Sequence, residues 1–312
     1  MSIVERALRR LQNSGQARPP SPGQSRPPGE TVLRQPGPRR VPPATSPVLA
    51  DAPAAAPPSA PVPRESLATT VESLRDAGML PRPQYAEQLA DQFRRIKWPV
   101  LESVMAKRAA GGNAANVIMV TSSVSGEGKT FSSLNLAMSI AWEKDFSVLL
   151  VDADVAKRHI TRAFGADGRI GLTDVLSDAA QDPEASVLGT GIRGLSFLPA
   201  GKRQELSPEL FASERMLDVI QKLRSADPRR IVLFDTSPLL ATNESQVLSR
   251  VVDQVVLVVR AESTTQPMVL ESVGLLDRSK EVRCILNQAH SSELSEYYYG
   301  YGKSDHHEAK EG

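Results

Sequence analysis

Residues 122–130 read Ser-Ser-Val-Ser-Gly-Glu-Gly-Lys-Thr. From Ser123 the pattern is Ser-x-x-x-x-Gly-Lys-Thr, a phosphate-binding loop with Ser in place of its usual first Gly. Gly126 and Gly128 let the backbone turn so that consecutive N–H groups face inward on an anion. A helix opening near Lys129 adds free amides and the positive end of its dipole. Lys129 is expected to reach the β- and γ-phosphates of ATP, and Thr130 to offer its hydroxyl to Mg²⁺. Ser125, Gly126, Glu127, Gly128 and Phe131 complete the expected ATP-binding stretch. Two further apolar runs end in acids, "VLLVDAD" in Asp152 and Asp154 and "IVLFDTSP" in Asp235. Ligands of doubly wound sheets bind beyond the carboxyl ends of the strands, so all three carboxylates could converge on a metal held by Thr130.

Those groups meet only if parallel strands deliver them. From Asn116 onward, short β-branched runs alternate with amphipathic stretches: "VIMVTSS", "SVLLVDAD", "LSFLPAG", "IVLFDTS", "QVVLVV" and "VRCILN". Such runs read as buried parallel strands. The stretches "SPELFASERMLDVIQKLRSA" and "TQPMVLESVGLLDRSK" read as the intervening helices. The expected fold is α/β, a doubly wound, mostly parallel sheet with helices on both faces.

The beginning of the chain is different. Of 24 prolines, 15 lie before residue 65, and no aromatic residue precedes Tyr85. Residues 15–64 are expected to be a disordered Pro/Ala/Arg-rich linker, because they hold too little apolar surface to offset ordering entropy. Residues 1–64 carry nine Arg against Glu5, Glu30 and Asp51, so of the net +1 this arm holds +6 and the remainder −5. A basic arm suits anionic lipid or an acidic partner, and its lack of aromatics argues against nucleic acid. Within residues 1–14, Ile3, Val4, Ala7, Leu8 and Leu11 share one helical face, which suggests a short docking helix. Neither a signal peptide nor a membrane span is legible, so a cytoplasmic protein is expected. The single cysteine, Cys284, excludes an internal disulfide and reads as a small apolar side chain.

In order, "SVSGEGKT", "VLLVDADVAKRH", "GLTDVL", "LPAG…SPEL" and "IVLFDTSP" resemble motifs of the bacterial tyrosine kinases (BY-kinases) of exopolysaccharide synthesis. The similarity runs over about residues 85–301 and is greatest to the separate cytoplasmic type, in particular the exosortase-associated autokinases. It implies a P-loop kinase domain over 65–290 and a flexible tail over 291–312. Asp152 would be the base or the group that orients the acceptor hydroxyl, and Asp154 a metal-shell acid, or the two the other way round. Asp235 would act on Mg²⁺ through water, Asn287 on adenine, and Arg158 on phosphate or a neighbouring subunit. "DQFRRIK" places Asp91, Arg94 and Lys97 where the family carries its oligomerisation motif, on an expected helix of about 84–110; their spacing would put them on one face. A homo-oligomer (a ring in the family), a separate transmembrane chain-length determinant or polysaccharide copolymerase, and a tyrosine phosphatase are the implied partners. The chain departs from the family at Ser125, at Ser237-Pro238 and at "AKRH", none of which removes a group the chemistry needs.

Four of the five tyrosines, Tyr297, Tyr298, Tyr299 and Tyr301, fall in "SEYYYGYGK" near the end of the chain. With a phosphoryl donor site in the same molecule, these phenols read as autophosphorylation sites, and Gly300 and Gly302 as the residues that keep the segment pliable. The competing reading is an ATPase switch of the MinD/ParA type. Its signature Lys would stand at Val124, and no Lys lies between Lys107 and Lys129.

Overall fold

A computed structural model describes residues 65–111, 115–204 and 207–289. The expected docking helix, the linker and the tyrosine tail lie outside the described residues. Seven strands form one sheet: β1 (Val117–Ser122), β2 (Ser147–Ala153), β3 (Leu188–Gly189), β4 (Leu195–Leu198), β5 (Arg230–Thr236), β6 (Gln254–Arg260) and β7 (Glu281–Asn287). Their order is β3-β4-β2-β5-β1-β6-β7, and every pairing is parallel except β3 with β4. The six apolar runs read from sequence are the six parallel strands. Strand β3 was not expected; its two residues are too short to leave a periodic signal, and it holds the edge with an isolated bridge from Ser66 to Gly189.

Both faces of the sheet are covered, as near-continuous apolar strands require. In β1, Ile118 and Val120 point to one core layer, while Val117 and Met119 point to the other. The first layer is capped by α1 (Val71–Asp76), α2 (Pro83–Ala109) and α3 (Lys129–Ala141). The second is capped by α5 (Leu172–Ser177), α7 (Glu214–Ser225), α8 (Asn243–Ser249) and α9 (Gln266–Gly274). Between β2 and α5 lies the one-turn α4 (His159–Ala163). The stretch expected as one helix after residue 206 is two, α6 (Ser207–Phe211) and α7. Ser213 breaks it: its backbone is extended and its hydroxyl accepts from Met216 N, so it caps α7 instead of continuing α6.

Helix α2 corrects one expectation. Asp91 and Arg94 are exposed and paired at 2.6 Å, but Lys97 does not share their face. Each step of three residues turns a helix back by about 60°, so six residues separate Asp91 and Lys97 by about 120°. That rotation carries Lys97 inward to 3% exposure, where its ammonium donates to Ser139 O at 2.9 Å and pairs with Glu143. Lys97 therefore clamps α2 to the end of α3. Lys97→Met is expected to cost about 1–3 kcal/mol by leaving a buried carbonyl unpaired, visible as a fall of several degrees in Tm. Arg94→Ala should stay within about 1 kcal/mol, as exposed pairs do.

Candidate active site

Strands β1, β2 and β5 lie side by side, and their carboxyl ends bring the expected residues to one place. In the sheet register Asp152 stands opposite Asp235. The chain leaving β1 turns through Gly126 (φ 89°) and Gly128 (φ 90°) before α3 begins at Lys129. Positive φ at both positions suits glycine and no β-carbon. Gly128 has a second reason, because a Cβ there would lie 2.1 Å from Asn287 Nδ2.

Lys129 is 7% exposed, and its ammonium donates to Asp154 Oδ2 at 2.8 Å and Thr130 Oγ1 at 3.1 Å, with Asp235 Oδ2 at 3.8 Å. Thr130 Oγ1 donates to Asp235 Oδ2 at 2.9 Å, and Ser133 Oγ donates to Asp235 Oδ1 at 2.8 Å. Asp154 Oδ1 accepts from Ser237 Oγ at 3.0 Å and Lys157 N at 3.1 Å. Asp152 is held by a different set of partners. Its Oδ2 accepts from Thr161 N at 2.9 Å and Thr161 Oγ1 at 2.8 Å, its Oδ1 from Asp154 N at 3.2 Å, and it has no exposed surface.

The electrostatics separate the acids. Burial pushes Asp152 up to about 7, with Asp235 adding to the rise and the Thr161 hydrogen bonds opposing it. Burial also raises Asp235, against Lys129, Ser133 and Thr130. For Asp154 burial is outweighed by Lys129 and the hydrogen bonds it accepts, so its carboxyl lies below the usual range. For Lys129 burial acts downward but is outweighed by Asp235, Asp154 and Asp152, so the ammonium is held charged. Because the folded state binds the Asp152 proton more tightly than the unfolded chain, this group stabilises the fold below pH ~4 and that contribution is lost as pH rises towards 7. Asp152→Asn should therefore flatten the dependence of Tm on pH between about 4 and 7. A profile parallel to the parent's would contradict this.

Two of the expected ATP-binding residues also make contacts that the sequence did not indicate. Glu127 sits in the loop yet is 2% exposed and turned from the phosphate side. Its Oε2 accepts from Val124 N at 2.6 Å, while its Oε1 accepts from Thr264 Oγ1 and from Arg260 N. Asn287 Nδ2 donates to Glu127 O at 2.8 Å, so the end of β7 is hooked to the loop. Of the basic pair after Asp154, Lys157 reaches the loop, donating to Ser125 Oγ at 3.0 Å, while Arg158 turns to Gly201 O at 3.4 Å. Sequence reasoning missed Ser133, Thr161, Ser237 and Thr264. Ser237 was within its reach, since it follows Asp235 by two and so shares its side of the chain. Cys284 is half-buried, and burial pushes its thiol up to about 11, which suits no nucleophile.

The donors fit Mg²⁺. Thr130 and the two carboxylates offer hard oxygens, and among the described residues no group of three acidic, His or Cys side chains forms a self-sufficient metal cage. Mg²⁺ takes one or two protein oxygens and completes its shell with phosphates and water.

A glycine-turned loop at a helix start, with acids ending the two neighbouring parallel strands, defines a P-loop nucleotide-binding protein. Residues 118–273 match the CbiA family model, the CobQ/CobB/MinD/ParA nucleotide binding domain. The chain is 33% identical over 190 residues to the tyrosine-protein kinase YwqD of Bacillus subtilis, a match covering 60% of this chain and 78% of that one. The crystal structure of the VpsO kinase domain is similar at 34% identity and TM-score 0.51, over 63% of this chain and 98% of the other. The BceF tyrosine kinase domain shares the fold at 23% identity and TM-score 0.55, over 70% of this chain and 91% of the other. A match to the Ralstonia nicotianae relative EpsB, 32% identical over 65% of this chain, spans 27% of that longer protein. The chain belongs to the bacterial tyrosine kinase family within these nucleotide-binding proteins.

Proposed function

We propose that this protein is an ATP-dependent protein-tyrosine kinase that phosphorylates Tyr297, Tyr298, Tyr299 and Tyr301 of a second copy and thereby regulates exopolysaccharide polymerisation or export. The observation that carries this reading is the convergence of Lys129, Thr130, Asp154 and Asp235 at the ends of three adjacent strands. In phosphoryl transfer the protein contributes chiefly position and charge. ATP supplies the phosphoryl group, and bound Mg²⁺ would neutralise its charge. Loop amides and Lys129 would hold the phosphates, and Thr130 and Asp235 would hold the metal. As the tyrosine oxygen bonds to the γ-phosphorus, the bond to the bridging oxygen breaks and ADP carries away that electron pair; the phenolic proton passes to an acceptor at the site.

Of the two orders open for the acids, Asp154 suits the hydroxyl-orienting role, because its carboxylate lies against the Lys129 ammonium, whereas Asp152 bonds only to Thr161 and the Asp154 backbone. The role of Asn287 at adenine is compatible with its position beside Gly128. A homo-oligomer is supported by the exposed stripe of α2, on which Asp91, Arg94, Trp98 and Met105 fall within an arc of about 60°. Lys97, tied to α3, is left out of that stripe. No described helix is long and apolar enough to cross a membrane, so association with the inner face of the membrane would run through a separate transmembrane copolymerase, and a phosphatase would reverse the modification.

The test is mass spectrometry of the full chain before and after incubation with MgATP, with Lys129→Met as control. Phosphotyrosine on the four tail residues, absent from the control, is expected. ATP turnover with no phosphotyrosine would overturn the kinase reading in favour of a nucleotide switch.

A further inference from the structure

The turn that follows Asp154 leads directly into a second surface. Lys157 N and Arg158 N both donate to Asp154 O, at 3.1 and 2.7 Å, and α4 starts at the next residue. Ile160 and Thr161 face the core at 0% and 2% exposure, which leaves His159 and Arg162 on the outside. These two and Ala163 form one wall of an open cavity of about 400 Å³, and Ala77 and Met79, from the connection between α1 and α2, form the other. The wall that carries His159 begins where the turn from Asp154 ends, so the cavity lies one tight turn along the chain from the phosphate site. Arg162 makes its wall basic, and none of its lining residues is acidic; the exposed Asp76 precedes Ala77 on the far wall. The Arg162 guanidinium has no hydrogen-bond or ion-pair partner among the described residues. An apolar floor beneath an unpaired guanidinium suits a peptide that carries carboxylates beside apolar or aromatic side chains.

The chain supplies such a peptide. From Cys284 to Gly302 it contains no Lys or Arg, and Glu293, Leu294 and Glu296 immediately precede Tyr297. We propose that the groove beside α4 is the acceptor-docking site of the kinase, in which Arg162 pairs with Glu293 and Glu296 of a second copy's tail. This rests on the kinase reading and adds what selects the substrate: a tyrosine preceded within four residues by carboxylates. With Tyr297 at the phosphate site, the residues one and four before it lie roughly 3 and 13 Å back along an extended chain, the scale of one groove. A phosphate on one tyrosine adds about −1.5 to −2 charge and a fresh set of acceptor oxygens, so the groove holds a partly modified tail more firmly and favours several transfers per encounter.

The test uses full-length chains, with Lys129→Met as the acceptor and an enzyme whose own four tail tyrosines are Phe. Initial rates of acceptor phosphorylation are read against acceptor and ATP concentration. Arg162→Glu in the enzyme is expected to raise the acceptor KM about tenfold, leaving the KM for ATP and acceptor-independent hydrolysis within about twofold. An acceptor with Glu293→Lys and Glu296→Lys should be poor with the parent enzyme and recover with the Arg162→Glu enzyme. His159→Glu, also exposed, serves as a second variant should the first lose its thermal transition. Equal KM values for all enzyme and acceptor pairs, or a loss that charge exchange leaves in place, overturns the groove. Absence of phosphotyrosine with the unaltered pair overturns the kinase reading instead, and the groove with it.

Discussion

Lys129→Met is expected to lower phosphotyrosine formation by about 10²–10³-fold, the usual cost of losing one group aimed at developing charge. A second effect accompanies it. The ammonium is buried against Asp154 and within 3.8 Å of Asp235, and removing one partner of a buried pair costs roughly 3–5 kcal/mol. Without Lys129 nothing of comparable strength offsets the burial that pushes Asp154 upward. The folded variant then favours protonated acids at this site, so its stability deficit is largest near neutral pH and narrows as pH falls towards the ordinary carboxylate range. Thermal unfolding of both proteins at several pH values measures this directly. A Met variant that keeps phosphotyrosine formation within threefold of the parent, or a deficit independent of pH, would remove Lys129 from the role assigned to it.

Gly128→Ala is expected to abolish measurable ATP binding. Two penalties combine: a positive φ that costs a non-glycine residue about 1–3 kcal/mol, and a collision with the Asn287 amide, 2.1 Å from the added carbon. Asn287 cannot simply withdraw, because its amide is hydrogen-bonded to Glu127 O. Relief of the contact would therefore break the hook that sets the loop. The double variant Gly128→Ala, Asn287→Ala separates the two costs. It should regain thermal stability relative to Gly128→Ala and still bind ATP weakly, since the backbone strain remains. Nucleotide titration followed by a fluorescent analogue checks both variants; ordinary ATP affinity in Gly128→Ala would refute the argument.

The parts of this molecule that were readable beforehand share a cause. Strands β1, β2 and β5 announce themselves because a strand buried on both faces needs an unbroken apolar run, and their ends are marked where Asp152, Asp154 and Asp235 interrupt it. Glu127 was read as a member of the ATP wall, whereas a carboxylate facing phosphates is electrostatically costly; that conflict is the signal that it had to turn elsewhere. Where it turned depended on Thr264, 137 residues away, which no local pattern encodes. Lys97 shows a similar limit. The 120° turn that takes it off the face of Asp91 and Arg94 follows from spacing alone, but that Ser139 O and Glu143 of the α3 end wait on that side does not. The break at Ser213 was local and could have been found, since a Ser followed by Glu is an ordinary start for a helix.

The hook between β7 and the phosphate loop also fixes where the tail begins. Asn287 ends the last strand beside Glu127, and Tyr297 follows it by ten positions. Ten steps of fully extended chain reach at most about 33–36 Å, so Tyr297 lies within that radius of the end of β7. Within an assembly of several copies, such a leash gives the acceptor an effective concentration on the order of millimolar. An enzyme supplied in this way has no need of a tight-binding acceptor. Low affinity then suffices for a tethered tail, whereas an unrelated tyrosine, lacking the leash, meets the site only at its far lower free concentration.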